Sequence, residues 1–165
     1  HFIIFVLKNI ICIDSKFSEK SAMLRSLVRK VGIYRFLKQK KFRRTLVVVD
    51  EGVFHISHNI LCSPDWCARK EDMQRFYELV PRPDKLIILI SQSDILLKNL
   101  QKRGDLSPRI ESLSFLGPFV KNAVTLFDQL SLECKRDEFG LIIDLDGYFL
   151  PEHVLKGVKY VTEEK

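Results

Sequence analysis

The sequence contains no apolar run of the roughly 18 to 20 residues that span a bilayer, so we expect no membrane association. Its four cysteines, Cys12, Cys62, Cys67 and Cys134, lack the spacing of a disulfide framework, which favours a reduced, cytoplasmic compartment. Internal repeats, low-complexity segments and Pro/Gly-rich linkers are lacking too. Because 46% of the residues are hydrophobic and 29% charged, as in a globular protein, we expect residues 1–165 to form a single domain.

The chain begins with His1 rather than with an initiating methionine. The apolar residues that follow are interrupted by Lys8 and Asn9, and they lack a basic leader and a small-residue cleavage site, which argues against a signal peptide. We therefore expect a fragment whose missing part lies upstream. Residues 2–13 fit either a strand, because they are β-branched and aromatic, or a buried helix, because of their apolar spacing.

The net charge of +6 is concentrated in one stretch of the chain. Residues 20–44 contain ten Lys/Arg and no acid. Such a patch suits phosphates, nucleic acid or an anionic surface, and it is equally typical of the solvated face of a helix. One interpretation of the chain is therefore a non-catalytic α/β module that binds nucleic acid or a protein partner through this basic face.

Three short apolar segments are predicted to be buried strands, namely residues 45–49, 85–90 and 141–145. Helical segments with apolar periodicity or helix-start signals separate and follow them, at about residues 19–38, 63–79, 93–103, 116–130 and 151–161. Alternating strands and helices predict parallel βαβ units. The expected fold is an α/β three-layer sandwich with helices on both faces of a mostly parallel sheet.

The first predicted strand ends abruptly in two acids, Asp50 and Glu51. Open α/β folds bind their ligands at the edge formed by the carboxyl ends of parallel strands. Carboxylates at that edge can hold Mg²⁺ or accept a proton. Asp50 and Glu51 are therefore the first candidates for catalysis and for a metal site, with solvated acids at a strand end as the alternative.

The segments around the second predicted strand follow an order known from one enzyme family. Pro81–Ile90 leads from a proline–aspartate step into the strand, the next helix ends in Leu100–Gly104, and Ser107–Arg109 follows. This order resembles the nucleoside and nucleotide kinases of the P-loop superfamily, thymidylate kinase above all. The resemblance implies that Arg103 and Arg109 belong to a mobile lid and brace the transferred phosphoryl group, a task that suits forked, permanently charged donors.

The acidic turn Asp50-Glu51-Gly52 resembles the element after the third strand of that superfamily. The resemblance implies an ATP-dependent phosphotransferase with ATP and Mg²⁺ as cofactors, in which Asp50 or Glu51 orients the metal or acts as base. Gly52, Phe54 and His55 would contact a nucleotide or another small phosphate acceptor. Most thymidylate kinases have aspartate–arginine at this point, so Glu51 departs from the pattern and leaves the acceptor open.

The phosphate-binding loop of the superfamily, Gly-x-x-x-x-Gly-Lys-Ser/Thr, does not occur in the sequence, although the resemblance covers about residues 45–160. In the superfamily this loop follows a strand that lies between the third and fourth strands, here 45–49 and 86–90. Without that strand, both neighbours would have unpaired backbone groups. We expect the loop to lie upstream of His1, and this chain alone to be inactive.

Two other motifs suggest different chemistry. His55, His58, Cys62 and Cys67 lie within thirteen residues and are ligand types for Zn²⁺, although their spacing matches no common zinc module. Ile143–Gly147 resembles the first motif of haloacid-dehalogenase-type phosphatases. Those enzymes need well over a hundred further residues, and only 18 follow here. Both alternatives rank below the kinase interpretation.

Overall fold

The computed structural model describes residues 1–39, 47–103, 113–137, 140–145 and 151–162. Within these ranges the chain forms seven α-helices, a short 3-10 helix and two strands. The elements in chain order are α1 Phe2–Cys12, α2 Phe17–Leu37, the 3-10 helix Val53–His55, α3 Ile56–Ile60, α4 Lys70–Leu79, β1 Leu86–Ser91, α5 Ser93–Arg103, α6 Leu113–Arg136, β2 Gly140–Leu145 and α7 Pro151–Thr162.

The two strands β1 and β2 pair in parallel, with Leu86 opposite Gly140 and Ser91 opposite Leu145. Helices α5 and α6 lie between them in sequence, and α6 packs against both strands while α7 contacts β2. Parallel neighbours need such a crossover, because a tight hairpin can join only antiparallel strands. The predicted α/β class, the parallel pairing and the second and third predicted strands are therefore confirmed.

The prediction of a first strand at residues 45–49 is wrong for residues 47–49, the part that the structure describes. Val47, Val48 and Val49 adopt no strand conformation and are exposed, Val48 by 83%. Residues 45 and 46 lie outside the described part of the chain. A continuous apolar run becomes a buried strand only when neighbouring strands satisfy its backbone groups, and within the described ranges β1 and β2 pair only with each other.

Residues 2–13 could be a strand or a buried helix from their sequence, and the structure shows a helix. Helix α1 buries Phe2, Val6 and Ile10 at helical spacing. Helix α2 matches its prediction and continues without interruption through Gly32. The predicted helix 63–79 begins only at Lys70, because the chain before it forms a tight hairpin in place of a first helical turn.

The aromatic ring of Phe76 on α4 lies at the centre of the core. Its centroid is 5.8 Å from that of Phe2, 6.5 Å from that of Phe5 and 6.4 Å from that of Phe54. These are the offset and edge-on separations that aromatic pairs prefer. Phe76 therefore joins α1, α4 and the 3-10 helix into one hydrophobic core.

None of the helices in the described ranges combines the length and the apolar character that crossing a membrane requires.

Candidate functional site

The acidic turn between Val49 and the 3-10 helix has an unusual backbone. Glu51 has φ 50°, the only positive φ of a non-glycine residue in the described ranges, and positive φ is uncommon for residues other than glycine. The next turn closes when the His55 N–H donates to the Gly52 carbonyl at 3.0 Å. This geometry brings the Glu51 carboxylate to 3.7 Å from His55 Nδ1, while Asp50 stays exposed.

A buried lysine faces this turn from α2. The Lys30 side chain is only 5% exposed, and its Nζ donates to the Glu51 carbonyl oxygen at 2.6 Å. The same Nζ lies 3.5 Å from Glu51 Oε2 and 3.2 Å from His55 Nδ1. A buried ammonium group is tolerated only when its N–H donors find acceptors, and these three atoms supply them.

The three side chains change one another's protonation. Burial lowers the pKa of Lys30, although the nearby Glu51 carboxylate opposes this shift. Burial and the positive charge of Lys30 also lower the pKa of His55. Burial alone would raise the pKa of Glu51, but the charge of His55, in the acid range where this ring is protonated, and the charge of Lys30 outweigh it and lower that pKa. The cluster therefore favours an ionised Glu51 beside a neutral His55, whose Nδ1 lone pair accepts from Lys30.

A second histidine extends the cluster toward α6. The His58 ring centroid lies 4.4 Å from that of His55, and His58 donates from Nδ1 to the His55 carbonyl at 3.1 Å. On α6, Phe127 lies 6.4 Å from His55 and Phe119 lies 6.0 Å from His58, centroid to centroid. Helix α6 thus holds both imidazoles in place against the acidic turn.

The remaining predicted site residues are Phe54, Arg103 and Arg109. Phe54 is buried and packs edge-on against Phe76 and Tyr77, so its described contacts are those of the core. Arg103 is the exposed last residue of α5, and within the described ranges no hydrogen bond or ion pair joins it to Glu51. Arg109 lies outside the described residues.

Lys30 is the member of the cluster that the sequence analysis missed, because it was counted with the basic residues of a solvated face. The sequence signal that indicates a buried role for Lys30 is its position along α2. Residues Leu27, Lys30, Val31 and Tyr34 follow helical spacing, which places position 30 on the apolar face of α2. A charged residue at such a position indicates an internal partner.

Within the described part of the chain, no group of three or more His, Cys, Asp or Glu side chains is arranged to hold a metal ion. The proposed zinc ligands His55, His58, Cys62 and Cys67 are therefore not assembled. Instead, the Cys62 thiol donates to the His58 carbonyl at 3.3 Å, and the Cys67 thiol donates to the carbonyl of Asn122 on α6 at 3.5 Å.

An open cleft of about 470 Å³ lies elsewhere in the described structure. The loop between α1 and α2 (residues 13–16) forms one side, and residues 63–65 and Phe115 form the other. Lys30, Glu51 and His55 do not line it. The candidate site is therefore defined by the contacts of Lys30, Glu51 and His55 and not by a cavity.

Comparisons with known proteins assign the chain to no family. No family model, no curated protein and no solved structure matches it.

Proposed function

We propose that this chain is part of an ATP-dependent phosphotransferase of the nucleoside or nucleotide kinase type. The observation that carries the proposal is the Glu51 carboxylate, which is 58% exposed yet is favoured in its ionised form by the buried ammonium group of Lys30. Phosphoryl transfer depends on positioned charge more than on covalent chemistry, so a fixed carboxylate of this kind is the feature it needs.

The direction of the pKa shift favours one of the two roles considered for Glu51. A lowered pKa makes a carboxylate a weak proton acceptor at neutral pH, and general bases work best with a pKa near that pH. It also keeps the group negative, as metal binding requires. Glu51 is therefore proposed to orient Mg²⁺ rather than to accept a proton.

The residues of the turn fit a magnesium ion that is shared with a nucleotide. Mg²⁺ in such sites takes one or two protein carboxylates, with substrate phosphates and water as its other ligands. Asp50 is exposed, and the contacts of the Glu51 carboxylate with Lys30 and His55 are made through Oε2. When bound, the ion would neutralise charge on the phosphates of ATP, while Lys30 keeps the turn in place.

The remaining parts of the proposal follow from the resemblance described above. Arg103 and Arg109 are proposed as the lid arginines that stabilise charge on the transferred phosphoryl group. The loop that binds the phosphates of ATP is absent from these 165 residues, so the proposal places it in a part of the protein outside them. The three-layer kinase architecture belongs to this proposal as well.

The test is steady-state kinetics of the full-length protein with ATP and a panel of nucleosides and nucleotides. Glu51→Gln and Arg109→Ala should each lower kcat by roughly 100-fold or more, the usual loss when one charge-stabilising group is removed. Glu71→Gln, an exposed acid at the start of α4, is the matched control and should leave kcat unchanged. Unaltered kcat in both site variants would overturn the assignment.

A second candidate function rests on the exposed part of the basic face. Arg25 and Arg29 lie one turn apart on α2 and are both exposed, in contrast to the buried Lys30. Binding of nucleic acid through this face would weaken steeply with salt, because bound counterions are released from the phosphates. Filter binding at increasing salt distinguishes it from the kinase, since Arg25→Ala with Arg29→Ala would weaken binding and leave phosphoryl transfer intact.

A further inference from the structure

The hairpin between α3 and α4 brings two cysteines into direct opposition. Cys62 and Cys67 form an antiparallel bridge. The Ser63 N–H donates to the Trp66 carbonyl at 2.8 Å, and the Ala68 N–H donates to the Leu61 carbonyl at 2.7 Å. These two bonds flank the cysteines without using their own backbone groups, so the cysteines are a non-hydrogen-bonded pair.

That type of pair has the spacing that a disulfide requires. The Cα atoms of a non-hydrogen-bonded pair lie about 4.5 Å apart, with both side chains on the same face of the hairpin. A disulfide accepts Cα separations from about 4.4 to 6.8 Å. The backbone of Cys62 and Cys67 is therefore already within the range in which the two sulfur atoms can bond.

Both thiols are reduced in the structure and point to different carbonyl acceptors. Cys62 donates to the carbonyl of His58, and Cys67 donates to the carbonyl of Asn122. The Asn122 amide in turn donates to the Ser63 carbonyl at 2.8 Å and to the Pro64 carbonyl at 3.4 Å, which ties the hairpin to α6. Closure of a disulfide thus needs the two side chains to rotate while the hairpin stays in place.

We propose that Cys62 and Cys67 are a redox-active pair that closes to an intrachain disulfide on reaction with a low-molecular-weight disulfide. Cys67 loses its proton, and its thiolate attacks one sulfur of the small disulfide, breaking that S–S bond and releasing one small thiolate. Cys62 then loses its proton and attacks Cys67 Sγ, displacing the second small thiolate. The two released thiolates take up two protons, so two protein thiols are oxidised and one small disulfide is reduced.

The order of the two attacks follows from exposure. Cys67 is partly exposed and meets the oxidant, whereas Cys62 is buried and reacts only with its neighbour. Burial raises the pKa of Cys67, so the first step is expected to be slow at neutral pH and faster in alkali, where more thiolate is present. Of the other two cysteines, Cys12 is exposed and Cys134 is buried. In the described structure neither of them faces a second thiol across an isolated β-bridge.

The test uses a favourable pattern of trypsin sites. The sequence has no Lys or Arg between Arg44 and Arg69, so Cys62 and Cys67 share the peptide Thr45–Arg69. Cys12 and Cys134 fall in separate peptides, Asn9–Lys16 and Asn122–Lys135. The folded protein is incubated with glutathione disulfide, quenched in acid, unfolded, alkylated with iodoacetamide, digested and weighed by mass spectrometry.

The expected product is a Thr45–Arg69 peptide that is two hydrogen atoms lighter than the dithiol and carries no alkyl group. Asn122–Lys135 should be alkylated, and Asn9–Lys16 should carry either an alkyl group or glutathione. In urea the same peptide should need more oxidant for half-closure, because the fold no longer holds the two thiols together.

Variants at both positions keep the proposal falsifiable even if one of them folds poorly. Cys67→Ser should abolish the lighter peptide, Cys62→Ala should leave glutathione trapped on Cys67, and Cys12→Ser should change nothing at residues 62 and 67. The proposal fails if Thr45–Arg69 of the folded protein is doubly alkylated after incubation with glutathione disulfide, whatever the state of Cys12. It also fails if wild-type Cys67 stays glutathionylated, or if the peptide is linked to a different cysteine peptide.

Discussion

Lys30 shows how one side chain can set the properties of a whole turn. It lies 21 residues from Glu51 in sequence, yet its ammonium group donates to the Glu51 backbone and faces both the Glu51 carboxylate and the His55 ring. Burial of the Lys30 ammonium group costs desolvation free energy, which offsets most of its attraction to the Glu51 carboxylate. The contribution of Lys30 here is to fix the position and the protonation state of the candidate site.

Replacing this lysine by an apolar residue should change the titration of its neighbours. In Lys30→Met, the pKa of Glu51 and the pKa of His55 should both rise, because the positive charge of Lys30 lowers each of them. NMR titration of the Glu51 carboxyl carbon and the His55 ring measures both shifts. Arg29→Met removes an exposed charge from the adjacent position and should move neither pKa; equal shifts in the two variants would contradict a specific role for Lys30.

Acid should destabilise the protein in two steps. The pKa of His55 is lowered from 6.5 and that of Glu51 from 4.5, so in each range the unfolded state binds more protons than the folded state. The free energy of unfolding should therefore fall as the pH drops below 6.5 and fall again below 4.5. Urea denaturation across both ranges measures this.

The matched variants for the acid response are Glu51→Gln and His55→Gln. Glu51→Gln should reduce the loss of stability in the lower pH range and retain it in the upper one, because His55 still titrates. His55→Gln should do the reverse. The prediction fails if Glu51→Gln leaves the loss of stability in the lower pH range unchanged and His55→Gln leaves the loss in the upper pH range unchanged.

At the residue scale, the sequence indicated some members of the cluster but not Lys30. Asp50, Glu51 and His55 could be selected because they are consecutive or nearly so, and the structure brings Glu51 and His55 together. Lys30 could not be selected by proximity, because its partners lie on a different element. Only its position on the apolar face of α2 carried a signal.

Helix α2 contains a glycine that the fold does not use for close packing. A Cβ at position 32 would meet no atom within 4 Å, and the helix runs from Phe17 to Leu37 without a break there. Glycine in a helix interior costs about 1 kcal/mol relative to alanine, because its unfolded state is more flexible. Alanine in place of Gly32 should therefore make the folded protein more stable.

Gly32→Ala should raise the free energy of unfolding by about 1 kcal/mol. Chemical denaturation with an unchanged m-value would measure it. Gly140→Ala is the comparison, because a Cβ there would lie 3.5 Å from the Leu86 carbonyl in the sheet and α-helix propensity does not apply. A loss of stability in Gly32→Ala would show that α2 is not one continuous helix in solution.

Helices and strands could be predicted from the sequence where the pattern of apolar residues within the segment determines its conformation. Helices α2, α5, α6 and α7 follow from apolar periodicity and end signals, and strands β1 and β2 follow from short β-branched runs. Val47–Val49 have the same run but no strand, because strand formation depends on a neighbour that the pattern does not specify. The hairpin before α4 was missed because Ser-Pro-Asp also begins helices.

In the molecule as a whole, the described core depends on aromatic contacts between elements that are distant in sequence. Phe2 and Phe5 of α1 reach Phe76 of α4 across about seventy residues of chain, and Phe54 joins them from the 3-10 helix. The same 3-10 helix ends at His55, so the core and the candidate site share one short element.

Phe76→Ala should destabilise the protein by about 3–5 kcal/mol, the usual cost of emptying a buried aromatic position. Phe17→Ala removes an identical side chain that is 87% exposed and should have little effect. Thermal and urea denaturation of the two variants gives the comparison. Similar losses in both would mean that α1 and α4 do not pack as described.

The α/β class of the molecule could be predicted from the order of its elements, but the number of strands in the sheet could not. Sequence patterns report whether a segment can be buried, whereas the size of a sheet depends on which segments meet. For the site, Arg103 lies at the exposed end of α5, and its place beside a phosphate stays a prediction.

The backbone conformation of Glu51 has a consequence for how this position should vary. A left-handed backbone costs residues other than glycine roughly 1–2 kcal/mol, so selection for folding alone would favour glycine, or asparagine as the next best choice. The proposed role of Glu51 depends on its charge, which glycine would remove. If that proposal holds, homologues with glycine at this position should lack phosphotransferase activity.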